Sequence, residues 1–256
     1  MKPGVAAMKT PHAEIEFAIE VFVRAFCAGR SRIFPYQPSR VGPLWVMRDA
    51  DRKNPAGYRM EEWVAYGVDA GEVDAIARRE ARGRFAVCAI VAEGQPDTPI
   101  RSAYKSLGYG LRTTEGVFVQ PLKHVPRRPS PVPIERVRTA ELAARLGKAT
   151  RSRPIPAGLL GDDAPFRQYV ALDGEDIVGR VRSVDAIGAT WCPDMHVGPS
   201  HRRRGIGQAL LCQMLRDDRA RASKCSVLTA SHTGALLYPH VGYQRIGTLL
   251  AFTPRR

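Results

Sequence analysis

The chain repeats part of itself, and that limits the folds open to it. "AYKSLGYG" at residues 103–110 and "LYPHVGYQ" at residues 237–244 align at a constant offset of 134. Tyr104 falls on Tyr238, Gly108 on Gly242, Tyr109 on Tyr243 and, further on, Phe118 on Phe252. An apolar stretch precedes each copy, "FAVCAIVAE" in the first and "CSVLTAS" in the second. Self-similarity of this kind points to duplication of one structural unit. Between the copies lies "KHVPRRPSPVPIER", with Pro126, Pro129, Pro131 and Pro133. Proline fixes φ and removes a backbone donor, so this stretch is a semi-rigid spacer. The chain of 256 residues therefore divides into a first half at 1–122, a linker at 123–133 and a second half at 134–256, each half large enough for a domain.

The second half reads in the order β-α-β-β-β-α-β-α-β. "IERVR" is a short strand, and Thr139 caps a helix, "AELAARLG", that ends at Gly147. "FRQYVALDGEDIVGRVRSV" is a hairpin around an Asp-Gly turn. "ATWCPDMHV" is a strand in which Pro193 marks a bulge or irregularity. From Ile206 the apolar residues Leu210, Leu211, Met214 and Leu215 follow helical spacing. Asp217, Asp218, Arg219 and Arg221 make the solvated end of that helix. The first half opens with a helix, "AEIEFAIEVFVRAF", whose apolar residues share one face. "LWVMRDA" and "FAVCAIVAE" are strands, with helical segments around 58–67 and 69–82 between them. The fold class is α/β (α+β), a mixed sheet flanked by helices.

The stretch "MHVGPSHRRRGIGQALL" carries the chemistry. A strand that passes through a glycine loop into a helix leaves the first helical N–H groups unpaired. The helix dipole adds about half a positive charge there, and together these suit a pyrophosphate. Gly205 and Gly207 would let the phosphate approach the backbone and adopt unusual φ values.

These residues resemble the GCN5-related N-acetyltransferases, the GNAT family. "RRRGIG" matches the family's [Q/R]-x-x-G-x-[G/A] signature, "MHVGPSH" is similar to its fourth strand, and "GALLYPHVGY" to its later A-x-x-L-Y motif. The resemblance covers residues 132–256 well and the first half only weakly. It implies a splayed GNAT-type sheet, two GNAT-like halves and acetyl-CoA as co-substrate. It further implies that the backbone of Met195 and Val197 pairs with the pantetheine arm, and that the N–H groups from Arg203 through Arg204, Gly205, Ile206 and Gly207 to Gln208 hold the pyrophosphate. Arg202 takes the signature's first position. Tyr238 takes the place of the general acid toward the leaving thiolate. His232 stands where many members have a cofactor-seating asparagine. The acceptor is an amine, open among small molecules, antibiotics, aminoacyl groups and protein amines.

The general base is not assigned. Asp194 and His196 lie on the relevant strand, but alternation puts both on one face and Met195 on the other. Asp162 and Asp163, on the loop before the hairpin, could attract a cationic acceptor or be a solvated loop. The first half has no such glycine signature, since "DRKNPAG" offers one glycine and a proline where donors are needed. Tyr104 is expected to pack, not to donate a proton.

Composition constrains partners and place. The 39 basic and 25 acidic residues give a net charge of +14, which favours anionic ligands. The excess is spread, +6 over residues 1–130 and +8 over 131–256, and no aromatic-and-basic RNA motif or helix-turn-helix spacing accompanies it. Nucleic-acid binding on a degenerate scaffold is the alternative reading, and it is the weaker one. Five cysteines without a C-x-x-C pair read as reduced, buried thiols with no metal site. No apolar run reaches the ~18–20 residues of a membrane helix, and the start lacks a signal-peptide core. The expectation is a soluble, cytoplasmic enzyme; the sequence does not specify an oligomeric state.

Overall fold

In the computed structural model, residues 10–32, 34–54 and 57–255 are described. The first half supplies α1 (Pro11–Arg30), β1 (Tyr36–Val41), β2 (Leu44–Asp49), β3 (Glu61–Tyr66), α2 (Ala70–Glu80), β4 (Phe85–Ala92), α3 (Thr98–Ser106) and β5 (Tyr109–Gln120). The second half supplies β6 (Ile134–Arg136), α4 (Ala140–Thr150), β7 (Phe166–Asp173), β8 (Asp176–Ala186), β9 (Ala189–Trp191) and β10 (His196–Val197). It continues with α5 (Ile206–Ala220), β11 (Ser226–Ser231), α6 (His232–Ala235) and β12 (Gln244–Pro254). The class is mixed α+β, with open mixed sheet flanked by helices.

The chain forms two compact units. Residues 1–118, 229–233 and 245–256 make the first; residues 119–228 and 234–244 make the second. The carboxyl-terminal strand thus groups with the first half of the sequence: Gly247 to Phe252 of β12 pair antiparallel with Ala92 to Val87 of β4. In the first unit β1, β2, β3, β4 and β12 lie side by side in that order, and in the second β11, β9, β8, β7 and β6, with β10 paired to β8.

Residues 58–67 were expected to be helical, and Glu61–Tyr66 is instead strand β3. Five of its six residues are buried, on both faces of the sheet. A strand covered on both sides loses the alternation that marks a strand in sequence. Gly147 does not end α4, which runs on to Thr150 before Arg151 adopts φ +51°. A Cβ on Gly147 would stand 2.9 Å from the Ser152 carbonyl oxygen, so glycine serves the chain's return past the helix. Thr139 caps α4 as expected, its hydroxyl accepting from the Leu142 N–H at 3.2 Å.

Asp218 overturns the expectation of a solvated end to α5. It is fully buried, accepts hydrogen bonds from Ser183 at 2.8 Å and Thr190 at 3.0 Å, and pairs with Arg167 at 2.9 Å. Arg167, itself 1% exposed, also pairs with Asp185 at 2.5 Å. Burial raises the Asp218 carboxyl pKa against the opposing effect of Arg167, while the two aspartates outweigh burial and hold Arg167 charged. A buried charge is tolerated only when paired and hydrogen-bonded. This cluster therefore pins α5 to β7, β8 and β9.

The two copies of the repeat take the same local geometry. Tyr104 and Tyr109 meet edge to face at 5.4 Å and 76°, and Tyr238 and Tyr243 at 5.6 Å and 74°. Gly108 and Gly242 hold φ of +83° and +89°, values at which a side chain is strained. Tyr104 is buried and stacks on Phe252 at 4.5 Å, in keeping with a packing role. All five cysteines are buried and free. Among the described residues, no helix is long and apolar enough to cross a membrane.

Candidate active site

The site is built where β10 turns into α5. The pairing of β9 with β11 consists of Thr190 against Ser226 and Trp191 against Val227. Pro193 then removes a donor, and Asp194 turns the chain at φ +62°, a conformation that aspartate tolerates better than most residues. Past this bulge the strand resumes as β10, which among the described residues pairs only with β8. The Gly198 N–H donates to the Val178 carbonyl at 2.8 Å. By alternation the N–H and C=O of Val197, and of Met195 two residues earlier, point away from β8. Among the described residues no strand pairs with that side of β10, the kind of edge that takes an extended amide-bearing ligand.

The loop into α5 enters the left-handed region twice. Arg203 lies at φ +63° and Gly205 at φ +83°. Left-handed residues in a loop of this kind can turn neighbouring N–H groups toward one point. Gly205 is the N-cap of α5 and offers no side-chain acceptor, so no capping side chain takes up the N–H groups of the first turn. Arg202, Arg203 and Arg204 are exposed beside them. Arg202 donates from Nε to the Val197 carbonyl at 3.1 Å, which ties the loop to the open edge of β10.

The two glycines play different parts, which refines the expectation that both serve phosphate approach. A Cβ on Gly205 would meet nothing within 4 Å; its requirement is the positive φ. A Cβ on Gly207 would lie 3.1 Å from Met195 Cε and 3.3 Å from Leu237 Cδ2. Gly207 is thus where β10, the first turn of α5 and the segment leading to Tyr238 converge. Tyr238 opens the short 3-10 turn Tyr238–Val241 and is 6% exposed. Gly242 closes that turn, and a Cβ there would collide with the Gln120 side chain, whose Nε2 donates to the Val241 carbonyl at 2.8 Å.

The structure brings together Met195, Val197, Arg202, Arg203, Arg204, Gly205, Ile206, Gly207, Gln208 and Tyr238 within the second unit. His232 is exposed at the start of α6, in the segment 229–233 that groups with the first unit. Asp162 pairs with Arg138 at 3.1 Å and Arg136 at 3.4 Å, and Asp163 lies 4.0 Å from Arg221; both carboxylates face arginines of the fold.

Sequence reasoning missed Arg180 and Arg182. Arg180 grips Asp194 from Nε at 3.0 and 2.9 Å, and Arg182 reaches it at 3.4 Å. The residue at position i of one strand and its partner across the hairpin cannot be matched without the register, so no local signal marks this trio. Its face is fixed by β10. His196 lies opposite Arg180, and Val197 opposite Gly179. A Cβ on Gly179 would touch Leu210 and Ile206 of α5, so Arg180 and His196 project to the other face of the sheet.

Residues 165–245 match the acetyltransferase (GNAT) domain family. No curated protein matches the chain in sequence. The GCN5-related N-acetyltransferase from Kribbella flavida has a similar fold, with TM-score 0.62 and 16% identity over 93% of this chain and 95% of that one. The GCN5-related N-acetyltransferase from Sphaerobacter thermophilus gives TM-score 0.54 and 18% identity over 82% and 76%. A GNAT-family putative acetyltransferase from Novosphingobium aromaticivorans gives 0.52 and 14% over 93% and 97%. The glycine loop, the broken strand before it and the following helix all lie inside the segment, residues 165–245, that matches the acetyltransferase (GNAT) domain.

Proposed function

We propose that residues 134–256 form the working half of an N-acetyltransferase that moves an acetyl group from acetyl-CoA to a primary amine. Residues 1–122 form a half without a cofactor loop, and 123–133 the linker. The observation that carries this reading is the start of α5, where Gly205 caps the helix with no side-chain acceptor and Arg203 and Gly205 both hold positive φ.

The chain's own groups suit the parts of acetyl-CoA. The N–H groups from Arg203 to Gln208 suit a pyrophosphate, and Arg202, Arg203 and Arg204 make the approach electropositive. The open edge at Met195 and Val197 suits the amides of a pantetheine arm. Acetyl-CoA would supply an acyl group activated as a thioester. Backbone donors on that edge would polarise the acyl carbonyl, the pocket would hold amine and acyl carbon in line, and the Tyr238 hydroxyl would give a proton to the departing sulfur.

The test is thermal unfolding with acetyl-CoA, on the wild type and on Gly205→Glu. At about 100 times its dissociation constant a ligand stabilises by ~2.7 kcal/mol, a rise of roughly 5–10 °C for a chain of this size. The expected result is that rise in the wild type and none in the variant, whose carboxylate repels the phosphates and whose side chain is strained at φ +83°. No rise in the wild type overturns the reading; equal rises overturn the loop assignment.

A further inference from the structure

A strand side without a strand partner leaves backbone groups that must find partners elsewhere. In β10 the Val197 carbonyl is one of them. His196 stands opposite Arg180, the Gly198 N–H donates to the Val178 carbonyl at 2.8 Å, and alternation turns the Val197 carbonyl away from β8. Its partner is a side chain. The 3-10 turn Pro199–His201 brings the chain back, Arg202 follows it in an extended conformation, and the Arg202 Nε donates to the Val197 oxygen at 3.1 Å. That is the distance at which the amide nitrogen of an added strand would stand.

Arg202 therefore occupies the acceptor that the amide of an extended ligand needs. The same guanidinium belongs to the basic run beside the start of α5, where phosphates are proposed to sit. A guanidinium bonds a phosphate more strongly than a neutral carbonyl, because the charges attract and two N–H groups can meet two oxygens. Among the described residues no carboxylate pairs with Arg202, whereas His201 lies 3.0 Å and Arg204 4.0 Å from Asp173. An arriving phosphate thus competes with the Val197 carbonyl for Arg202, and with Asp173 for its neighbours.

We propose that Arg202 determines which acyl donors the site admits. Its guanidinium caps the Val197 carbonyl against thioesters that carry the pantetheine amides alone, and a donor's own diphosphate draws it off. The class selected is a thioester joined to a diphosphate, and the inference rests on the acetyltransferase reading above. One side-chain position serves two sites here. With Arg202 on the strand, the carbonyl is taken and the anion loop has one cation fewer. With Arg202 on a phosphate, the carbonyl is released to the ligand amide. The two ends of the donor are thereby coupled, each raising the affinity for the other by the same factor. A phosphate-free donor must displace Arg202 with nothing to receive its charge.

The experiment measures by calorimetric titration how the full chain, Arg202→Ala and Arg204→Ala bind two probes. Acetyl-CoA is one. S-acetylpantetheine is the other, with the same thioester and amides but no phosphate and no charge. Arg202→Ala removes a positive charge and the cap; Arg204→Ala removes a charge from the same approach and leaves the cap in place. Acetyl-CoA should bind both variants more weakly than the wild type. S-acetylpantetheine should bind Arg202→Ala about tenfold more tightly than the wild type, the worth of one hydrogen bond from a charged donor, and should bind Arg204→Ala as it binds the wild type. Tighter binding of a neutral ligand after loss of an arginine is a result that phosphate attraction alone does not give. Unchanged or weaker S-acetylpantetheine binding by Arg202→Ala overturns the proposal. So does an equal gain in Arg204→Ala, or no binding of S-acetylpantetheine to Arg202→Ala at millimolar concentration. A wild type that does not bind acetyl-CoA fails earlier, at the acetyltransferase reading itself.

Discussion

In the first half β3 stays beside β4 for six residues, Glu61 to Tyr66 against Phe85 to Ile90, all parallel and without interruption. In the second half the corresponding strand pairs β11 only at Thr190 and Trp191 before Pro193 and Asp194 break it. The helices that follow differ in the same sense. Asp69 caps α2, its carboxylate accepting from the N–H groups of Gly71 at 2.8 Å and Glu72 at 3.3 Å. Gly205 caps α5 and supplies no acceptor. The first half thus satisfies internally both features that the second leaves open, a helix start without a side-chain cap and a strand side without a strand partner. The topology is shared; the proposed capacity for acetyl-CoA rests on one bulge and one cap residue.

The largest expected effect separates stability from function within the second half. Asp218→Ala removes one partner of a buried pair and leaves Arg167 undercompensated, which costs about 3 kcal/mol or more. Urea unfolding monitored by Trp191 should report that loss. The tyrosines of the repeat come next. Tyr238→Phe should lower kcat roughly 100-fold with acetyl-CoA affinity unchanged. Tyr104→Phe should leave kcat at the wild-type level, since Tyr104 only packs. Equal kcat for both variants would remove the catalytic distinction between the copies. The smallest effect probes the cap. Asp69→Ala should cost about 1 kcal/mol of stability and still give the first half no acetyl-CoA affinity, because β3 and β4 remain paired. Acquired binding at that helix would mean that the cap alone decides.

Much of this contrast is visible in the sequence, for identifiable reasons. The helix start at Gly205, the hairpin around Gly174 and the tyrosine–glycine–tyrosine repeat are local, and local chemistry writes local signals. Pro193 announced the bulge by lacking a donor. What was not visible depends on partners distant in sequence. Asp218 looks like a solvated charge at a helix end until Arg167, 51 residues away, is placed beneath it. β3 looks helical until both its faces are buried. Arg180 acquires meaning only from the register that sets it opposite His196. The grouping of β12 with β4 is likewise a choice among pairings that the alternation of β12 allows equally. Alternation sets Met195 and His196 on opposite faces, but which of them faces α5 follows only from Met195 lying against Gly207.

Backbone amide hydrogen exchange, with and without acetyl-CoA, measures the difference between the halves most directly. The account predicts slowed exchange across residues 195–208, at the free edge and the helix start, and unchanged exchange across residues 61–80. Protection across 61–80, or none across 195–208, would contradict it.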